Sequence, residues 1–172
     1  MAVCNKLNQN ITRADSCGYS LPEIVDIYLA NFDEFSGVTT TKDSDNCESI
    51  SAITSAITWY HIEPAKNSAS FVDELVVNDT NGSKYRTHTL TFNTIGSYTA
   101  CMHKVLDDLS LGKYVAIIKT AEGTYLMLGR ITGLEATTAA LNGGSDNNGM
   151  QIVLAANTTE SAIPVTAKFT VK

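Results

Sequence analysis

A single stretch of this chain, Ser97–Leu111, reads as an amphipathic helix, and everything around it reads as strand and turn. Tyr98, Met102, Val105, Leu106 and Leu109 recur at helical spacing and make one apolar stripe. On both sides the sequence alternates with period two and is rich in Thr, Val and Ile, which fit a pleated, half-buried surface. A striped helix and alternating strands each need a partner layer to cover their apolar face. The expected fold is mainly β: a two-sheet sandwich or partly closed barrel with one flanking α-helix and an extended N-terminal arm.

The arm is expected over residues 1–49, with the compact domain over 50–172. Leu21–Phe35 (LPEIVDIYLANFDEF) places Leu21, Ile24, Val25, Tyr28 and Leu29 in a short helical pattern. Pro22 suits a first-turn position, and Glu23 and Asp26 suit the positive end of a helix dipole. The same stretch fits a pair of short strands. Ser36–Ser49 (SGVTTTKDSDNCES) reads as a polar linker. Ile50–Glu63 fits helix and strand, and its Thr and Ile content predicts one long strand. Ser70–Val77 and Lys84–Phe92 flank the turn signal Asn78-Asp79-Thr80-Asn81-Gly82, which predicts a hairpin. A second hairpin is expected from Lys113–Thr120 and Thr124–Thr132 around Ala121-Glu122-Gly123. Ala136–Gly149 is expected as a polar loop, and Met150–Ala155 and Ile163–Val171 as closing strands.

The chain has 172 residues, enough for one domain with a sizeable core. Only 17% of residues are charged, below the roughly 25% usual for soluble domains. Two explanations stand: a surface buried against neighbours, or a surface made polar by Thr, Ser and Asn. The net charge of -6 argues against a tight grip on nucleic acid, which needs a basic stripe. It is compatible with a surface past which DNA slides, because like charge repels phosphate. Met1–Asn10 lacks the basic region and apolar run of a secretory signal. No stretch approaches the ~20 apolar residues of a membrane span.

Chemistry is sparse. Phosphate-loop, dinucleotide, nucleophile-elbow and zinc-protease signatures do not occur. His61 and Glu63 lie two apart on one expected strand face and form the best acid–base pair, with an exposed polar strand end as the plain alternative. Asp43, Asp45 and Glu48 faintly suggest a calcium loop but lack the EF-hand spacing. Asp107 and Asp108 read as a solvated helix face. Cys4, Cys17, Cys47 and Cys101 are too widely spaced for a structural zinc site, and Cys101 is expected to be a small buried hydrophobe. No catalytic, metal or cofactor residues are expected, and the chain is expected not to be an enzyme. With Trp59 the only Trp, and Tyr60 on the opposite strand face, an aromatic platform for sugars is poor.

The order of strands around one central helix, together with LNGGSDNNGMQIVLAANTTESAIPV (Leu141–Val165) and CGYSLPEIVDIYLANFDE (Cys17–Glu34), resembles the tail-tube-like virion proteins of tailed bacteriophages, including crAss-like and other phages of gut bacteria. The resemblance covers most of the chain through style and order, without an invariant motif. It implies a subunit of a tail tube or a portal-to-tail neck ring. Such a subunit would form a homo-oligomeric ring, a hexamer or another cyclic symmetry, contact adjacent tail or neck proteins, and line a conduit for double-stranded DNA. It would be made in the cytoplasm of the bacterial host and reside in the virion, away from membranes. The family brings no enzymatic residues. The Cys-bearing N-terminal segment departs from a typical tube protein and leaves tube and connector ring open. Arg86 and His88 alternate with Tyr85, Thr87 and Thr89, which would make one strand face polar enough for a lumen. The alternative is a non-catalytic β-sandwich module that binds carbohydrate or a receptor.

Overall fold

The computed structural model describes residues 23–54, 56–78, 80, 82–95, 100–144 and 148–172. Among the described residues eleven strands, one α-helix and one 3-10 turn (Phe32–Glu34) are formed. Strand β7 (Lys113–Thr120) organises the rest. Its run Tyr114–Ile118 is buried throughout, because both faces of the strand are covered. Along one edge it pairs antiparallel with β1 (Ile24–Asn31), Ile27 opposite Ile118 and Leu29 opposite Ala116. Along the other edge it pairs with β8 (Tyr125–Leu128) and, at its start, with β9 (Leu134–Asn142). From β9 the sheet continues through β10 (Gly149–Thr158) and β6 (Ser83–Thr94) to β5 (Ser70–Asn78). On the far side of β1 lies β4 (Tyr60–Ile62). The two-residue β11 (Ile163–Pro164) borders β8. These nine strands form one sheet, and β2 (Val38–Lys42) with β3 (Glu48–Ile53) forms a separate small one.

The large sheet curls over itself without closing among the described residues. Ile27, Ala116 and Ile118 at its centre belong to one apolar cluster with Leu90, Phe92, Ile152 and Leu154 from β6 and β10. Helix α1 (Ala100–Leu111) lies against that cluster with Met102, Leu106 and Leu109. Gly112 ends the helix, its N–H donating to the Asp108 carbonyl, which the Tyr114 hydroxyl also meets. A second cluster fills the opposite face of β1 and β7. There Ala30, Val115 and Ile117 meet Ile50, Trp59, Met127 and Val165.

The expectation of a mainly β chain with one helix agrees with this architecture, and the central helix and both hairpins form where the sequence places them. Several other expectations are corrected. Within the supposed arm, Ile24–Asn31 is a central strand and the expected linker forms β2 and the start of β3; Ile27, Leu29 and Ala30 are buried because β1 is sandwiched between layers. The remainder, residues 1–22, with Cys4 and Cys17, lies outside the described residues. Ile50–Glu63 is broken into β3 and β4, because Ile57 and Trp59 turn into the second cluster between them. Ala136–Asn142 is strand, not loop: Ala136, Ala139 and Leu141 pack on the core while Glu135 and Thr138 face away. Ile163–Val171 joins the sheet only at the two-residue β11 and beyond it holds two isolated bridges, so it drapes over the second cluster. On the helix, Val105 is exposed and so is Cys101, because the buried stripe is narrower than the spacing implied. Tyr98 lies outside the described residues.

Candidate assembly surface

The sheet path ends at β5, a nine-residue strand whose one partner among the described residues is β6. Among those residues its outer edge is left as a row of backbone donors and acceptors, a template for another strand. Natural edges are usually blunted by Lys, Pro or a bulge. This one has the inward-pointing Asp73 and the exposed Glu74, but also Val72, Leu75 and Val77, which are 48%, 58% and 46% exposed. The register with β6 is unbroken from Ser70 opposite Thr91 to Asn78 opposite Ser83. Strand β10 supports β6 only as far as Thr158 opposite Arg86. The rungs Val76–Tyr85, Val77–Lys84 and Asn78–Ser83 thus run past the end of β10, and the hairpin projects.

The inner side of the hairpin is pinned by a polar knot. Arg86 Nε donates to Asp73 Oδ1 at 2.6 Å, and the Ala162 backbone N–H donates to Asp73 Oδ2 at 2.9 Å. Burial alone would raise the Asp73 carboxyl, but the bonds from Arg86 and Ala162 outweigh it and hold the group below the usual aspartate range. His88 is wholly buried behind Asp73. Its Nδ1 accepts from the Gly129 N–H at 3.2 Å, which leaves the proton on Nε2, 3.5 Å from Asp73 Oδ1. That separation is too long for a good hydrogen bond. Burial pushes the imidazole pKa down against the pull of Asp73 and Glu160, so the ring is neutral near pH 7 and makes no true ion pair. Gly129 sits at φ +72, and a Cβ there would fall 2.7 Å from Leu134 Cγ, so this turn needs glycine. Glu160 closes the turn, accepting from Arg130 Nε at 2.7 Å and the Ile131 N–H at 3.1 Å. Of the two faces of β6, the one that carries Arg86 and His88 lies on the core side, and His88 has no exposed surface.

The knot predicts a pH dependence. His88 has a folded-state pKa below its ordinary value of about 6.5. As pH falls below that value the unfolded chain takes up a proton that the folded chain refuses, so stability declines with acid. Asp26 and Asp73, both lowered, add a second loss as pH falls through their depressed range. His88→Asn keeps an acceptor for Gly129. It should flatten the decline in urea midpoint between about pH 6.5 and 5 while leaving the more acidic loss in place. An unchanged slope in that interval would rule out His88 as its source.

The other polar surface lies on the outer face of β6, β10 and β9. Thr87, Thr89 and Thr91 alternate there with the core residues of β6, beside Gln151 and Asn157 of β10 and Thr138 of β9. No Lys or Arg side chain of these three strands alternates onto that face.

A groove of about 910 Å³ lies where β1 and β4, a branch of the sheet away from β5, meet the C-terminus of α1. Leu29 and Ile62 floor it, with Leu109 of the helix, and Tyr60, Val105 and Leu111 stand at its rim. Beside it His61 Nε2 donates to Asp26 Oδ1 at 2.8 Å, and Lys119 Nζ donates to Asp26 Oδ2 at 3.1 Å. Burial opposes the Asp26 charge, but these two bonds hold its carboxyl below the ordinary range. His61 also stacks on Tyr28, ring centroids 5.1 Å apart. The suggested His61–Glu63 pair is thus replaced by His61–Asp26, which bolts the short β4 to β1. Glu63 is exposed just beyond β4.

The remaining flagged residues have local roles. Asp43 Oδ1 accepts from the backbone of Asp45 and Cys47 and shapes the β2–β3 turn. Among the described residues no group of His, Cys, Asp and Glu has the makings of a metal site. Asp108 pairs with Lys104 on the exposed helix face. Trp59 is buried, which removes it from any surface platform. Among the described residues no helix is long and apolar enough to cross a membrane. Sequence reasoning did not single out Asp73 or Glu160. The partner of Asp73 was within reach, because counting back from the hairpin turn sets Asp73 opposite His88. Glu160 carries no such signal, since it meets Arg130 only through the curl of the sheet.

In comparisons with family models, curated proteins and solved structures, nothing matches this chain.

Proposed function

We propose that this chain is a phage virion structural protein with a tail-tube-like β domain. In this reading copies of it assemble into a ring that forms part of the tail tube or the portal-to-tail connector and lines the DNA conduit. The observation that carries the reading is β5, a long straight edge strand that displays Val72, Leu75 and Val77 to solvent. A solitary protein would be exposed to aggregation through such an edge, whereas a ring subunit uses it as a joint. The cation-free outer face of β6, β10 and β9 and the net charge of -6 support a wall along which DNA moves without sticking. The sequence resemblance supports the virion setting. The reading assigns no catalytic residue and no cofactor.

The test is the mass of the full-length protein over a range of concentrations, by light scattering, followed by negative-stain imaging. The wild-type chain should give closed rings or tubes. The double substitution Val72→Lys and Leu75→Lys should give a folded monomer, because both side chains are exposed and their loss does not touch the core. A wild-type chain that stays monomeric at all concentrations refutes the proposal. A second reading is favoured by the groove at β4, with Tyr60 41% exposed at its rim. A persistent monomer that binds glycans on an array would establish a carbohydrate-binding module instead.

A further inference from the structure

We propose that the projecting end of the β5–β6 hairpin of one copy seats its Leu75 and Val77 in the groove beside the C-terminus of α1 of the next copy, with Lys84 reaching Asp33. The inference rests on the ring reading above and names the surfaces that would meet. Three observations carry it. The first is apolar matching. Leu75 and Val77 lie on one side of a hairpin whose tip β10 no longer supports, and both are half exposed. The groove offers Val105 at 46% and Leu111 at 90% exposure, above the buried Leu29 and Leu109. Each surface leaves aliphatic carbon in water that the other would cover.

The second is charge. Lys84 stands opposite Val77 on the projecting rungs, and Asp33 lines the groove. Neither is in a salt bridge among the described residues. The other groove charges already have partners: Asp108 has Lys104, and Lys113 has Glu135. A cation on one surface and an anion on the other, neither ion-paired among the described residues, fix the register of docking.

The third is topology. The hairpin ends one arm of the branched sheet, and β4, on the wall of the groove, ends the arm that leaves β7 through β1, while β11 ends a third. No residue of β5 or β6 lines the groove of its own chain. Two different surfaces at separate ends of one sheet make a head-to-tail interface, which closes into a ring when the rotation per subunit divides the circle.

The experiment places a photoreactive benzoylphenylalanine at Val77 of the full chain, mixes isotopically heavy and light protein, irradiates, and maps the cross-linked peptides. Cross-links between heavy and light copies should fall in residues 29–33, 60–62 or 105–114. In parallel, Lys84→Glu alone and Asp33→Lys alone should each weaken assembly about tenfold, and the double exchange should restore most of it. Thermal melts check that each variant folds. Rings that form with cross-links elsewhere and no rescue by the double exchange overturn this contact while leaving the ring reading intact. A chain that never assembles overturns both.

Discussion

Deleting residues 1–49 will leave no folded domain. The deletion removes β1, and with it the antiparallel partner of β7 along Ile24–Asn31 and the partner of β4. Ile24, Ile27 and Leu29 leave the first cluster, and Ala30 leaves the second. Emptying a buried aliphatic site costs roughly 2–5 kcal/mol, so three of them approach the whole stability of an ordinary domain, about 5–15 kcal/mol. The loss also uncovers Val115, Ile117 and Ile118, which are wholly buried. Expression of residues 50–172 should yield aggregated protein, or soluble protein without a cooperative melt. A soluble fragment with a sharp transition and β-type circular dichroism would show that β1 is dispensable and that the arm reading holds beyond residue 23.

Trp59→Ala should be the most damaging single substitution outside β1 and β7. Trp59 is the largest wholly buried side chain. It fills the second cluster between the two sheets, 5.6 Å from the Phe169 ring, and its carbonyl accepts from the Lys172 N–H at 3.0 Å. Truncation should cost about 3–5 kcal/mol and lower the melting temperature by roughly 10 °C. The segment 163–172 should also become sensitive to trypsin at Lys168, since Phe169 loses its backing. Trp59→Phe should cost less. It keeps most of the ring volume and removes an indole N–H that has no partner among the described residues. A melting temperature for Trp59→Ala within about 2 °C of wild type would show that the second cluster contributes little.

The parts of the fold written in local pattern were legible, and the parts written in long-range pairing were not. The β5–β6 hairpin announces itself because the turn residues and the alternation sit together. Lys113–Thr120 reads as a hairpin strand, but that Tyr114–Ile118 is central and covered on both faces follows only from its pairing with β1. The strand Ile24–Asn31 was obscured by Asp26 and by apolar residues at near-helical spacing. What makes it a strand is Ile118, far along the chain, together with a register shift at Ile24/Asp26 and the Lys119 partner for the carboxylate. The break at Thr58 was hidden for the same reason: nothing nearby says that Trp59 must turn toward Phe169. At the candidate surface, Val72, Leu75 and Val77 are visible as apolar residues in the sequence. Their exposure follows only from β5 lying at the end of the sheet. The groove was invisible, because helix, β1 and β4 meet there from three separated stretches.

The placement of β1 has a consequence during synthesis. Its two hydrogen-bonded neighbours both come later, β4 first and β7 only after more than half of the chain has been made. Such distant closure makes folding slow compared with helical domains of the same size. Until Lys113–Thr120 leaves the ribosome, Ile27 and Leu29 have no permanent home. On a polysome making many copies at once, that interval invites a nascent chain to lend its first strand to a sibling. Chaperone supply and translation speed, more than final stability, would then set how much native protein a cell recovers.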